Sequence, residues 1–474
     1  MAILVQLLGT IVVCFLTMTM GLIFTWPSST IILFKSENTT LHRVITETEA
    51  SLVGSLSSIG ALFGTPLAGL LLDRLGRKGT GVLFSLLSVV CWTMVAVSNR
   101  VEVVLASLFL SGLAGSSFLV VPVFVGEFCQ DSIRGSMVTA AIVFYGVGML
   151  LSYLMGGLLS YWNMIYASLT LAITNVCLLI ILKESPTFLL SKGLEKAAAE
   201  SVAFYRSAKP NSMEVLQEMA LIKRVLNANA DGSITPIEEK LNPSIEKEKL
   251  SVWQYFKKSR STRRAMFVTL VLVTASILQG LIVVQVYAQP LFQSAAPDMS
   301  ATLGSVIFAI IGVLSGIPAA YMVDAFGRRP LLIYASIADG LCCVICGSLI
   351  HLQWGPSYLT PMFIFIFCSV YTIGPGSVPY VFYAEVFLPE VRSYVNMVVV
   401  EWAWLCNFLI LIIFDPLARA IGLGPVFYLF AVVCFFTALF SVYYMPETKG
   451  LAADEIQLLF TPKKRRRHIQ TCEY

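Results

Sequence analysis

Asp73-Arg74-Leu75-Gly76-Arg77-Lys78 and Asp324-Ala325-Phe326-Gly327-Arg328-Arg329 are two copies of one pattern, an acid followed by a glycine and paired basic residues. Each copy sits between two long apolar runs. A second pair of signals follows in the same order: Glu127 precedes Arg134 at the same spacing as Glu385 precedes Arg392. A third pair closes each series, Glu184-Ser185-Pro186 in the first and Pro446-Glu447-Thr448 in the second. Short loops that are merely charged would not keep both order and spacing three times, so the chain reads as an internal duplication.

The sequence between these signals is apolar. Of 474 residues 57% are hydrophobic and 13% charged, far from the mix of a water-soluble domain. Runs of roughly 20 apolar residues, enough to cross about 30 Å of hydrocarbon, recur along the chain. They predict spans at 4–28, 50–72, 80–98, 102–124, 136–159, 163–182, 266–287, 301–323, 331–350, 359–383, 394–414 and 425–445. The expected fold is therefore an all-α membrane protein, twelve transmembrane helices in two six-helix pseudo-symmetric bundles. Gly146, Gly148, Gly374, Pro375, Gly376 and Pro379 fall inside spans, as membrane helices tolerate.

Twelve spans put both termini and the long central segment on one side. Only Lys35, Arg43, Arg100 and Arg419 of the 32 basic residues fall on the other, which assigns the termini to the cytoplasm; a multi-pass protein of the plasma membrane is expected. The first span continues into Lys35 and a polar loop without a clear cleavage pattern, and is expected to be retained. No cysteine falls in an outside loop, and none has metal-ligand spacing with His42, His351 or His468, so no disulfide, metal or cofactor is expected. Asn38-Thr39-Thr40 in the first outside loop is a possible glycosylation acceptor.

Four regions result: a bundle over 1–182, a cytoplasmic loop over 183–264, a second bundle over 265–446 and a basic tail over 447–474. Within the loop, Leu194 to Arg206 and Met213 to Leu226 have the periodicity of short amphipathic helices, and Asn227 to Glu248 reads as a linker. Lys463-Lys464-Arg465-Arg466-Arg467 can hold the tail on anionic lipid or serve as a stop-transfer signal; no nucleic-acid partner is expected.

Two six-helix repeats place a binding site near the bilayer midplane between them, with alternating access by rocking. The charged residues at the cytoplasmic ends, Asp73, Arg77, Glu127, Arg134, Glu184, Asp324, Arg328, Glu385, Arg392 and Glu447, are then candidates for a latch that opens with the rocking.

At Asp73 to Lys78, preceded by Gly69, the sequence resembles the first signature of the sugar porters of the major facilitator superfamily, and the likeness extends over nearly the whole chain. Val121-Pro122-Val123-Phe124-Val125-Gly126-Glu127 with Arg134-Gly135 looks like the family's fourth-helix motif. Glu184-Ser185-Pro186 is similar to the motif after helix six, and Pro446-Glu447-Thr448-Lys449-Gly450 with Glu455-Ile456 to the C-terminal signature. Trp26-Pro27-Ser28 and Thr48-Glu49-Ala50-Ser51 look most like the facilitated trehalose and glucose transporter branch.

The resemblance implies a facilitator for a sugar, with helices one, four, seven, eight, ten and eleven along the path. It also shows departures. Where the family has two glutamines and an asparagine on helix seven, this chain has Ser276, Ile277 and Ile282; the helix-eight asparagine falls on Gly312 and the helix-ten tryptophan on Tyr380. Ser107, Ala325, Lys183 and Thr187 replace charges or a proline of the motifs. An unpartnered sugar hydroxyl costs roughly 1 to 3 kcal/mol, so weak or altered substrate binding follows. Gln279 and Gln285 remain on helix seven as substrate contacts or as glue between helices. Tyr287 matches a family gate residue, and Trp404 and Asn407, one turn apart, match the helix-eleven pair. Asp339 and Glu401 are carboxylates inside spans, where each calls for a function or a partner. The Gly21 to Ser28 stretch of helix one lacks the acid of the proton-coupled branch.

The reading is a uniporter for trehalose, glucose or a similar hexose. Alternatives are a carrier of a less polar solute, a proton symporter, and a non-transporting solute sensor. Neither a phosphate-cradling loop nor a nucleophile with its base is present, so no enzyme is expected.

Overall fold

The computed structural model describes residues 2–231, 259–387, 389–451 and 453–460. Residues 232–248 of the expected linker, the basic run Lys463 to Arg467 and the side chain of Arg392 lie outside the described residues.

Eleven described helices are long and apolar enough to cross a membrane. One of them, Glu47–Val97, has 51 residues, about 76 Å at 1.5 Å per residue, and bends at Gly76, where φ is 84°. It is two spans joined end to end, and the twelve expected spans are all present. Span one is Ala2–Lys35, span five Asp131–Leu158, span six Tyr161–Ile181, span eight Ala301–Phe326, span nine Arg328–Leu352, span eleven Pro389–Ile421 and span twelve Leu423–Tyr444. The helices outrun the apolar stretches because the backbone stays helical until something caps it. At the start of span two, Thr46 accepts from the N–H of Glu49 while the Glu49 carboxylate accepts from the N–H of Thr46.

Three spans are broken rather than continuous. Span four divides into Val101–Gly115 and Ser117–Phe128, and span ten into Leu359–Ile373 and Val378–Val386 across Gly374-Pro375-Gly376. Span seven, expected as one helix, is three: Arg260–Leu278, Leu281–Val286 and Ala288–Ala295. Gly280 takes φ 95° at the first break, a conformation that costs glycine nothing.

The described chain forms two compact units. The first contains Met1–Ala230 with Ile282–Val313 and Asn407–Leu417; the second contains Asp231–Leu281, Leu314–Cys406 and Ala418–Tyr474. Parts of spans seven, eight and eleven therefore pack with spans one to six. Within the first unit, spans two and four cross at Gly60 and Gly112, where an added Cβ would strike the Phe109 carbonyl or the Ser57 carbonyl respectively. In lipid, where apolar burial drives nothing, such close backbone contact is what holds helices together.

Three short helices follow span six: Pro186–Ser191, Glu195–Arg206 and Met213–Asp231. The last continues past Asn227, where a linker was expected. Ala198, Val202, Val215 and Met219 bury one another, and an ion pair joins Arg206 to Glu218. Tyr205 stacks on Phe128 with ring centroids 4.4 Å apart, which fastens this layer beneath spans one and four.

Candidate functional site

Each bend at a motif glycine exposes a fresh helix N-terminus, and a distant glutamate satisfies it. Beyond Gly76, Glu184 accepts from the N–H groups of Arg77 (2.9 Å), Lys78 (3.0 Å) and Ser185 (2.8 Å). Beyond Gly327, Glu447 accepts from those of Arg328 (3.0 Å), Arg329 (3.1 Å), Thr448 (2.9 Å) and Lys449 (3.0 Å). A carboxylate there satisfies the orphan donors and opposes the positive end of the helix dipole.

The motif arginine completes the clamp in both units. Arg77 Nη2 lies 2.7 Å from Glu127 Oε1, and its Nη1 donates to the Leu72 carbonyl at 3.2 Å. Arg328 Nη2 lies 2.6 Å from Glu385 Oε1, and its Nη1 donates to the Val323 carbonyl at 3.2 Å. The hydroxyl after each clamp glutamate donates to the same acid, Ser185 to Glu127 and Thr448 to Glu385. Asp324 adds a bond to Arg328 at 2.9 Å, whereas Asp73 points outward and is exposed. Arg134 donates to the Cys129 carbonyl at 3.5 Å.

At the opposite end of the spans, the parts of spans seven and eleven that belong to the first unit are tied into it. The Tyr287 hydroxyl donates to the Leu411 carbonyl at 3.3 Å, and its ring meets Phe414 at 5.1 Å. That hydroxyl also fills the space a Cβ on Gly54 would need. Tyr153 donates to the Gln285 carbonyl at 2.6 Å, and the Gln289 N–H donates to Ser28 at 2.9 Å. Asp415 receives Ser51 at 3.4 Å and Lys35 at 3.5 Å. Asp415 and Gln289 were not singled out from the sequence, and Ser28 and Ser51 were quoted only within motifs of the family resemblance. A lone acid near the end of span eleven was the available signal.

In the second unit the broken stretches of spans seven and ten meet. Ser276 donates to the Pro375 carbonyl at 2.6 Å, and the Tyr371 hydroxyl donates to the Ser276 carbonyl at 3.0 Å. Carbonyls freed by the glycine-proline break are thus paired across helices. Gln279 is fully buried and donates to Thr437 of span twelve at 3.0 Å. The side chain of Gln285 is half-buried, as are Trp404 and Asn407; Tyr380 is exposed and lies 6.0 Å from Tyr383. Ile277 is buried and Ile282 half-buried. Asp339 is fully buried, and neither of its oxygens has a hydrogen-bond partner among the described residues. Asn38 is exposed in the turn after span one, and the ten described cysteines are free.

Known proteins align with this architecture. The facilitated trehalose transporter Tret1 of Bombyx mori is 25% identical over 433 residues, 89% of this chain and 81% of its own length. That of Culex quinquefasciatus is 24% identical over 472 residues, covering 97% and 87%. The structure of the xylose transporter XylE from E. coli in its inward-open conformation superposes with a TM-score of 0.76 at 18% identity, over 95% of this chain and 99% of that one. The fold is thus that of the major facilitator transporters, and the chain is a multi-pass membrane protein. Residues 2–460 match the profile described as Sugar (and other) transporter, and the protein belongs to that family.

Proposed function

We propose that this protein moves a small sugar, trehalose or a hexose, down its gradient by alternating access, without coupling to protons. The observation that carries the reading is the pair of clamps. Position for position, Arg77, Glu127 and Glu184 repeat as Arg328, Glu385 and Glu447, each set inside one unit. Two stiffened units can move as bodies, which rocking requires. Trehalose enters from the names of the Bombyx and Culex relatives.

In this reading the regions are the bundles 1–182 and 265–446, with the loop 183–264 and tail 447–474 in the cytoplasm of a plasma-membrane protein. Arg134, Asp73, Asp324 and Arg392 join the clamp residues as groups that respond to rocking. The contacts at Tyr287 and Asp415 form the opposing gate. Gln285, Tyr287, Tyr380, Trp404 and Asn407 meet the solute, and Gln279, already bonded to Thr437, acts chiefly as glue between spans seven and twelve. Asn38 carries a glycan, and the basic tail rests on anionic lipid.

One observation favours a less polar cargo as the second reading. Ser276 spends its hydroxyl on Pro375, and its neighbour on span seven is the buried Ile277. The test is counterflow of labelled trehalose, glucose and a less polar glycoside in vesicles, with and without a pH gradient. Saturable downhill trehalose or glucose flux, indifferent to the gradient, is expected. Flux of the glycoside alone would select the second reading, and no counterflow of any solute would end both.

A further inference from the structure

Two cavities adjoin on the flank of the second unit and share one residue, Phe267. The first, about 780 Å³, lies at the start of span seven between Arg260, Arg263, Arg264, Tyr443, Tyr444 and Phe460. The second, about 490 Å³, continues along spans seven and twelve between Phe267, Leu270, Val271, Leu278, Val432 and Phe436. The first is basic and aromatic, the second apolar.

We propose that this groove is the binding site of one anionic phospholipid, its phosphate held by Arg260 and Arg263 and one acyl chain lying between spans seven and twelve. Three features select that occupant. The apolar part has only two polar side chains, Trp402 and Thr274, and they bond to each other at 2.7 Å. A polar solute finds no free partner there. From Phe267 to Leu278 the lining runs about 16 Å along the helix, close to the roughly 15 Å of hydrocarbon in one leaflet. An acyl chain entering from the arginine end fits that length.

The arginine end asks for an anion. Among the described residues no acid lines it, the first turn of Arg260–Leu278 holds no acid, and none of the three arginines has an ion pair. Positive charge at a helix N-terminus adds to the positive end of the dipole, so each arginine there is unfavourable until a phosphate arrives. Arg264 has a second duty, donating to the Phe460 carbonyl at 3.2 Å, which closes the floor of the cavity. Tyr443 and Tyr444 are 74% and 59% exposed, as tyrosines at a membrane interface are. Among the described residues, Arg260 and Arg263 thus hold no other contact that binding would break.

The site can be read through Trp402. The full-length protein is reconstituted in phosphatidylcholine vesicles containing a chain-brominated phospholipid, and the part of the tryptophan fluorescence removed by Trp402→Phe is followed. Brominated phosphatidylserine should quench that part at lower mole fraction than brominated phosphatidylcholine. Arg260→Gln with Arg263→Gln should erase the preference, at about fivefold per arginine, while Lys196→Gln with Lys209→Gln, exposed and remote in sequence, should keep it. Residual quenching at the phosphatidylcholine level shows that the arginine variant is folded. Equal quenching by both lipids in the unaltered protein, a preference that survives the arginine changes, or one lost equally in the lysine variant would overturn the assignment. Displacement of the brominated lipid by inorganic phosphate would do so too, since it would make the site one for a free anion.

Discussion

Arg328 reaches Glu385 twice, with Nε 3.2 Å from Oε2 and Nη2 2.6 Å from Oε1, and Thr448 donates to the same carboxylate at 2.8 Å. Among the described residues, removing the arginine leaves Glu385 with the hydroxyl alone in a pocket where its side chain is 28% exposed. Arg328→Ala should therefore destabilise the protein by about 2 kcal/mol. Arg77→Ala, which takes one bond rather than two from Glu127, should cost somewhat less, and Arg328→Lys, which keeps the charge but loses the fork, about half. Thermal unfolding in detergent reads all three; a loss from one arginine and none from the other would show that the two clamps are not equivalent.

Tyr287 and Gly54 share one contact, so they can be altered from either side. Gly54→Ala puts a methyl where the Tyr287 hydroxyl sits, and should hold that end of the spans open. A cysteine at Ser28 should then label faster than in the parent. Tyr287→Phe removes one hydrogen bond of about 1 kcal/mol and should raise labelling roughly fivefold. Unaltered labelling in both variants would count against a gate at this position.

The Lys35 and Asp415 pair is partly exposed, 30% and 19% by side chain, and 3.5 Å apart. Asp415→Asn should accordingly shift the same labelling by no more than about fivefold. An effect of a hundredfold would mean that Asp415 acts through something other than Lys35 and Ser51.

Asp339 gives a discriminating test of proton coupling. It has no hydrogen-bond partner to lose among the described residues, and Asn has the same shape, so Asp339→Asn should leave stability unchanged or raised by about 1 kcal/mol. Uptake by the variant should match the parent with and without a pH gradient. Loss of a gradient-driven component would restore the symporter reading.

Span seven offers the opposite kind of change, a gain. Ile282 is half-buried, so Ile282→Asn can present an amide to solute at little packing cost; with Ile277→Gln it should improve sugar affinity by about 1 kcal/mol, roughly fivefold. Gln279→Leu should leave KM within about twofold, because its side chain is fully buried and its Nε2 donates to Thr437. Initial-rate uptake over a range of sugar concentrations measures both, and a large rise in KM for Gln279→Leu would make that residue a substrate contact.

Much of the fold was legible in residue order alone, because apolar runs of span length have one stable solution in lipid, and repeated motifs reveal duplication. Spans two and three were expected apart; the backbone joins them as one helix since Gly76 bends the chain without ending it. Span seven was expected whole, and its apolar pattern carries no trace of the break at Gly280 beyond the glycine itself. The gate at Asp415 was less visible still. It depends on residues such as Lys35 and Ser51 that are hundreds of positions away.

The sequence by itself determined that the chain lives in a membrane, crosses it twelve times and consists of two related halves, because hydropathy and motif order are local or periodic and survive without coordinates. Only the tertiary structure decided the partners: that Glu184 and Glu447 cap helices rather than face distant arginines, that Gln279 is spent on Thr437, and that Ile282–Val313 and Asn407–Leu417 pack with the first six spans. The reason is physical. A polar group in lipid must be satisfied by whatever donor or acceptor the packing brings near, and nearness across helices is not written along the chain.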